Sequence, residues 1–293
     1  MNLKDLIKEK RPSLSTSSIT TYNSILTNLH KKVFGGKEID PKDFDNTDKI
    51  LAFLKESPVN KRKTILSALV IITDNKKYRE QMLDDIKEYN KEINTQEKSD
   101  TQKENWVNGD EIKSLWNDLK KTADLLYKKS HHTPNDLQQI QNFIIISLLG
   151  GVFISPRRSK DFCNFKIKDI SKETDNYLEK STMVFNSYKT AKCYGEQKIT
   201  IPIQLKNILN KWIKINPTNW LLFDSNGNSL SAVKLNQRLN KLFDNRKISV
   251  NALRHTFLSE KYANTIKANN DLAEDMKEMG SSLNMAKTYI KKD

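Results

Sequence analysis

From Leu3 to about residue 93 the apolar residues of this 293-residue chain recur at helical spacing. Leu3–Lys10 reads as a short helix ended by Pro12. Ile19, Tyr22, Ile25, Leu26, Leu29 and Val33 mark a second helix, capped somewhere in Ser13–Ser18 and stopped by Gly35-Gly36. A third is expected over Thr47–Lys55. A fourth opens at Pro58 and buries Ile65, Leu66, Leu69, Val70 and Ile72, and a fifth covers roughly Lys77–Ile93. Residues 1–95 are thus expected to form a helical bundle of ordinary domain size. The stretch NTQEKSDTQKEN (94–105) is polar and has no period, which places an interdomain linker at 96–105.

A second unit is expected over 106–293. Asp110–Lys128 and Pro134–Gly150 pattern as helices. The run FIIISLLGGVFI (143–154) is too short to span a bilayer and reads as a buried helix interrupted by two glycines. MVFNSY (183–188) and KITIP (198–202) read as strands joined by a turn containing Gly195. Helices follow at about 203–214 and 231–243, with WLLF (220–223) extended between them. Ser249 is placed as the N-cap of a last long helix, with Leu253, Phe257 and Tyr262 roughly on one face. Acidic, helix-forming sequence follows, then Gly280, a second cap at Ser281 or Ser282, and Tyr289. The fold class expected is mostly α with a small antiparallel β-sheet, in two domains.

Composition narrows the partners. Lys plus Arg number 50 against 36 Asp plus Glu, a formal charge of +14, which points to a polyanion. Most of the positive charge is Lys, and the rare Arg therefore carry more information. Cys163 and Cys193 stand alone, without metal-ligand or disulfide spacing, which fits a reducing compartment. The start MNLKDLIKEKRP has no apolar region of the secretory kind. No cofactor and no metal are expected.

Arg254 and His255 fall near the start of the last helix, where backbone N–H groups favour an anion. Arg binds phosphate bidentately, and a tyrosine hydroxyl is a nucleophile that needs no metal. A guanidinium followed by a late tyrosine can hold a phosphodiester and attack it. Taken alone, the pair is unspecific. The string LRHTF, the Gly-Ser-Ser-Leu-Asn turn (280–284) and Tyr289 resemble the C-terminal boxes of the tyrosine recombinases, the phage-integrase family. The family's first box resembles GGVFISPRRSKDFCNFKIKDI (150–170). Read from Arg158, Asp161 falls at the box's acidic position and Asp169-Ile170 at its end; read from Arg157, both are missed. Lys189 in SYKTAK matches the family's hairpin lysine, with Lys192 and Lys198 as lesser candidates.

The resemblance covers roughly 106–293 through four boxes in order, and more loosely 13–95 as a core-binding domain. It implies a site-specific DNA recombinase or integrase that cleaves and rejoins DNA through a 3′-phosphotyrosine, without metal or ATP. Tyr289 would be the nucleophile, Arg158 and Arg254 the phosphate clamp, and Lys189 the general acid, with Asn251 and His255 beside them and Asp161 orienting. Arg157, Lys192, Lys61, Arg62 and Lys63 would contact DNA. The sequence departs from the family at Asn251 (usually His or Lys), at Gly280 (usually His or Trp), and in a tail of only Ile290–Asp293 after the tyrosine. The alternatives are a type IB topoisomerase-like enzyme and a non-catalytic DNA-binding protein on a degenerate recombinase fold. The expected partners are double-stranded DNA and further copies of the chain, as a dimer or tetramer on paired sites, with no membrane. The Lys/Asn/Ile-rich composition suggests an AT-rich genome; within the resembled family the expectation is an integrase of a virus or mobile element, located inside the cell at DNA, in a host nucleus or in cytoplasm or a viral factory.

Overall fold

The computed structural model describes residues 2–36 and 38–291. The chain folds as two compact units, Met1–Lys98 and Ser99–Asp293. Among the described residues no helix is long and apolar enough to cross a membrane.

The first unit holds α1 (Leu3–Lys10), α2 (Thr16–Phe34), α3 (Thr47–Leu54), α4 (Val59–Thr73) and α5 (Lys76–Asn94). The boundaries follow the punctuation of the sequence. Ser15 caps α2 by accepting from the Ser18 N–H, Gly35 ends it at φ +77°, and Pro58 opens α4. A 3-10 turn at Pro41–Asp45, which apolar spacing does not reveal, seats the buried Phe44, whose carbonyl accepts from Tyr78 Oη at 2.8 Å. Leu26, Ile50, Leu54, Leu66 and Leu69 fill the core. Asp85, fully buried, accepts from Arg62 Nε and Nη2 and from Gln81 Nε2 at 2.7–3.0 Å.

The stretch expected to be unpatterned is only partly so. Ser99 and Gln102 form a reciprocal capping box that starts α6 (Asp100–Glu104), giving polar residues a helical turn without any apolar face. The Asn105 carbonyl Oδ1 accepts from Lys247 N at 2.7 Å, and the Trp106 carbonyl accepts from Arg246 Nη1 at 3.1 Å, so this turn belongs to the second unit.

That unit continues with α7 (Gly109–Leu126), α8 (Pro134–Leu149), α9 (Ser159–Cys163), β1 (Phe165–Lys166), β2 (Asn176–Glu179), β3 (Thr182–Phe185), α10 (Ala191–Tyr194), β4 (Gln197–Thr200), α11 (Ile203–Ile215), α12 (Ala232–Leu242), α13 (Val250–Glu278) and α14 (Ala286–Tyr289). Its core runs from α8, buried from Phe143 to Leu149, to Trp212, Leu235, Leu239 and Leu253. The sheet order is β1-β2-β3-β4. It is mixed rather than purely antiparallel, because β1 lies parallel to β2 with Phe165 opposite Asn176. The WLLF segment, expected to be extended, bends at Leu221 and Leu222 between isolated bridges at Trp220 and Phe223, and joins β1 from the other side, Leu221 N donating to the Phe165 carbonyl at 2.8 Å.

One buried side chain fixes the sheet to what precedes it. Asn176 has no exposed surface, yet all four of its hydrogen-bonding positions are used. Nδ2 donates to the Asp161 carbonyl at 2.9 Å and the Ser187 carbonyl at 2.8 Å. Oδ1 accepts from Asn186 N at 2.9 Å and Ser187 N at 2.8 Å. The end of α9 and the chain leaving β3 therefore share one anchor.

Two outcomes are expected. Limited proteolysis without DNA should cut in Thr95–Lys98, between the C-cap of α5 and the capping box, giving fragments of about 11 and 23 kDa when the 34.0 kDa chain is divided by residue number. First cuts inside α7 or α8 would contradict this boundary. Asn176→Asp turns two buried donors into acceptors facing carbonyls, and should destabilise the chain by about 3 kcal/mol. Thermal unfolding should fall by about 6–12 °C for a unit of this size, and an unchanged midpoint would remove Asn176 from this role.

Candidate active site

Arg157 and Arg158 leave the core helix side by side and meet different surroundings. Arg157 turns inward. Its Nε donates to Asp161 Oδ2 at 2.9 Å, its Nη1 to Gln197 Oε1 on β4 at 2.9 Å, and its guanidinium lies 4.0 Å from the Phe185 ring centre and 5.2 Å from that of Tyr188. An arginine expected at a DNA backbone is thus the fastener between the first box and the hairpin. Arg158 occupies the N-cap position of α9, half-buried. Among the described residues its guanidinium has no hydrogen bond and no ion pair. Asp161 is buried, and its Oδ1 has no hydrogen-bond partner. Burial pushes its carboxyl above the ordinary carboxylate range, against the lowering pull of the Arg157 and Arg158 charges.

Lys189 lies just past β3, in the loop that β4 closes. The loop is shaped by α10 and by Tyr188 Oη, which donates to the Gly195 carbonyl at 2.7 Å. Lys189 and Lys192 are exposed and make no ion pair among the described residues. Lys198 is held by Glu196 at 2.7 Å, which raises its pKa. Tyr188 brings the loop to Arg157, and Asn176 brings it to α9.

The second box opens α13. Ser249 is its N-cap as expected, the Oγ accepting from Ala252 N at 3.2 Å. Arg254, half-buried, donates from Nη1 to Asn251 Oδ1 at 3.1 Å and among the described residues pairs with no carboxylate. His255 is exposed, and lines with Asn251, Trp106, Lys247 and Ser249 a cavity of about 230 Å³ that Arg254 does not line. Gly151, at φ +75°, lies so close to α13 that a Cβ there would come within 2.6 Å of the Phe257 ring. Only glycine meets both demands, so the loop leading to Arg158 and the turn of helix just past Arg254 are pressed together.

Three boxes therefore converge, by Gly151 on Phe257, Asn176 on Asp161, and Arg157 on Gln197. Tyr289 ends α14, exposed, and its hydroxyl has no hydrogen bond among the described residues. In the first unit, Arg62 is committed to Asp85 and to the Lys55 and Ser57 carbonyls. Lys63 packs over the Tyr89 ring, and Lys61 is exposed at a groove lined by Ile25 and Phe53. Asn176 and Gly151 escaped sequence reasoning. Gly151 left a signal, a glycine pair closing an apolar helix; Asn176 left none. Among the described residues no three His, Cys, Asp or Glu side chains come together as metal ligands would.

No family model matches this sequence, and no curated protein does. Among solved structures the chain is similar to lambda integrase (75–356), a dimer bound to a COC′ core site, at 14% identity over 91% of this chain and 91% of that one, with a TM-score of 0.48. It is also similar to XerH site-specific recombinase bound to its difH substrate in a pre-cleavage complex, at 13% identity over 89% of this chain and 85% of that one, with a TM-score of 0.39. Both are tyrosine recombinases.

Proposed function

We propose that the protein is a site-specific DNA recombinase that cleaves and rejoins duplex DNA through a tyrosine, acting inside cells on the DNA of a mobile element. The observation that carries this is the state of the box arginines. Arg62, Arg79, Arg157 and Arg246 are each paired with a carboxylate. Among the described residues Arg158 and Arg254, half-buried on segments pressed together at Gly151 and Phe257, have no ion pair; the half-buried Arg238 of α12 has none either, but stands alone there. A partly desolvated guanidinium that no carboxylate pairs is costly to hold and ready for an anion. A phosphodiester supplies two non-bridging oxygens for two such groups.

On this reading Tyr289 Oη bonds to the scissile phosphorus as the bond to the 5′ oxygen breaks, and its proton passes to water. Arg158 and Arg254 offset the charge developing on the non-bridging oxygens. Lys189 gives a proton to the departing 5′ oxygen. The phosphotyrosine keeps the energy of the broken bond, and the reverse attack by a 5′ hydroxyl rejoins the strand. Asp161 acts through Arg157, holding box and hairpin together. The lysines exposed across both units supply the salt-sensitive part of DNA affinity.

Nicked suicide duplexes tiled across the DNA flanking the gene should yield an SDS-stable protein–DNA adduct. Tyr289→Phe should abolish it; an adduct surviving that change would remove Tyr289 as the nucleophile, with the exposed Tyr194 and Tyr262 next to test.

Lys189 has a sharper signature. General acid help to an alkoxide leaving group is worth about 10²–10⁴-fold. A sulfur in place of the bridging 5′ oxygen leaves as a thiolate and needs no proton. Lys189→Ala should cleave the oxygen substrate slowly and regain most of its rate on the sulfur substrate, while Arg254→Ala stays slow on both. Rescue of Lys192→Ala instead would move the acid along the loop.

A further inference from the structure

The nucleophile of this reading lies apart from the arginines that would hold its target. Arg254 sits near the start of α13 and Glu278 ends it, 278 − 254 = 24 residues on. At 1.5 Å per residue that is about 36 Å along one unbroken helix. Every residue from Leu258 to Asp271 is exposed. Among the described residues the last hydrogen bond between this helix and the body of the unit is that of Glu260, whose Oε1 accepts from Gly109 N at 2.6 Å. Burial resumes only from Leu272, around Met276 and Ala286. There Gly280 at φ +70° reverses the chain, with Ser281 N on the Met276 carbonyl at 2.8 Å and Gly280 N on that of Lys277 at 3.0 Å. The turn Leu283–Met285 then packs against α13. A tail folded back to Arg254 would cover residues 258–271, and they are bare. Tyr289 belongs to a small lobe at the far end of an arm.

We propose that Tyr289 attacks a phosphate held by Arg158 and Arg254 of a second copy of this chain, an inference that rests on the recombinase reading. The site is incomplete without that copy, because three of its boxes converge on one body and the fourth is carried away from it. The arm is dressed for a protein partner. Leu258, Tyr262 and Ile266 share one exposed face at i, i+4 and i+8, and Met279, Leu283, Met285 and Ile290 are exposed around Tyr289. The chemistry is unchanged. The tyrosyl oxygen of one copy bonds to phosphorus, the bond to the 5′ oxygen breaks, the tyrosyl proton goes to water, and Lys189 of the copy holding the phosphate protonates the 5′ oxygen.

Complementation tests this. An Arg254→Ala chain bearing a mass tag and an untagged Tyr289→Phe chain are incubated, singly and mixed, with the nicked duplexes tiled across the gene's flanks. Each alone should form adduct at least about 100-fold below wild type, the loss expected when a charge-stabilising donor or the nucleophile is removed. The mixture should return to within about tenfold of wild type on the same scale, with the DNA on the tagged chain. Arg158→Ala in place of Arg254→Ala should behave alike, so a folding defect in one variant does not decide the result. A wild-type adduct with none from either mixture would show that Tyr289 serves its own arginines, overturning this proposal and leaving the recombinase reading intact. Wild-type protein bound to the duplexes without forming any adduct would overturn both.

Discussion

The carboxamide of Asn176 is withdrawn from water and gives each of its two N–H groups and two lone pairs to backbone. A polar group at such depth is tolerable only when fully satisfied, because each unmet donor or acceptor costs about 1–3 kcal/mol. That requirement is what joins the second unit's pieces. The Asp161 carbonyl belongs to the short helix behind Arg158, and the Asn186–Ser187 backbone opens the loop carrying Lys189. Neither segment has a long apolar face to place it, α9 being five residues and the loop mostly exposed. Hydrophobic burial sets the core of α8, Trp212 and Leu253; directional hydrogen bonds set the angles of the groups above it.

The same division appears in the charges. Asp161 is buried, and an unpaired carboxylate there would be expensive. Arg157 meets it, lies over Phe185, and reaches Gln197, so its charge is used within the fold. Arg158, one residue on, is left to the outside of the same helix start. Arg254 has only the neutral carbonyl of Asn251, which orients a guanidinium without neutralising it. Asn251 is uncharged, so it adds neither a repelling cation nor a neutralising carboxylate beside Arg254.

Much of this was legible in the chain because caps and breakers act locally. Ser249, Pro58 and Gly35 stand where the structure uses them, and the FIIISLL run is the buried helix it reads as. Partner choice was not legible. Nothing in the spacing of Arg62 says that Asp85, a helix away, will bury against it, or that Asn176 will anchor two segments rather than face water. Residue period shows which side of an element is apolar, and leaves open what lies against that side. For the same reason the face through Leu253, Phe257 and Tyr262 was extended too far. Leu253 is buried and Phe257 half-buried against Gly151, but Tyr262 is exposed, since α13 has by then left the body of the unit.

The length of α13 follows from what it lacks. No glycine or proline interrupts Val250–Met279, so intrahelical hydrogen bonds continue where tertiary contacts stop. Its end is equally determined. The glycine at 280 has a conformational reason: the position is left-handed, the pair of bonds to Met276 and Lys277 requires it, and a β-carbon would strain it. Gly280 is therefore the cap that turns the Tyr289 segment off its helix. A ring at this position would have to abandon that cap, and with it the lobe formed around Met276 and Ala286. The placement of Tyr289 depends on that turn.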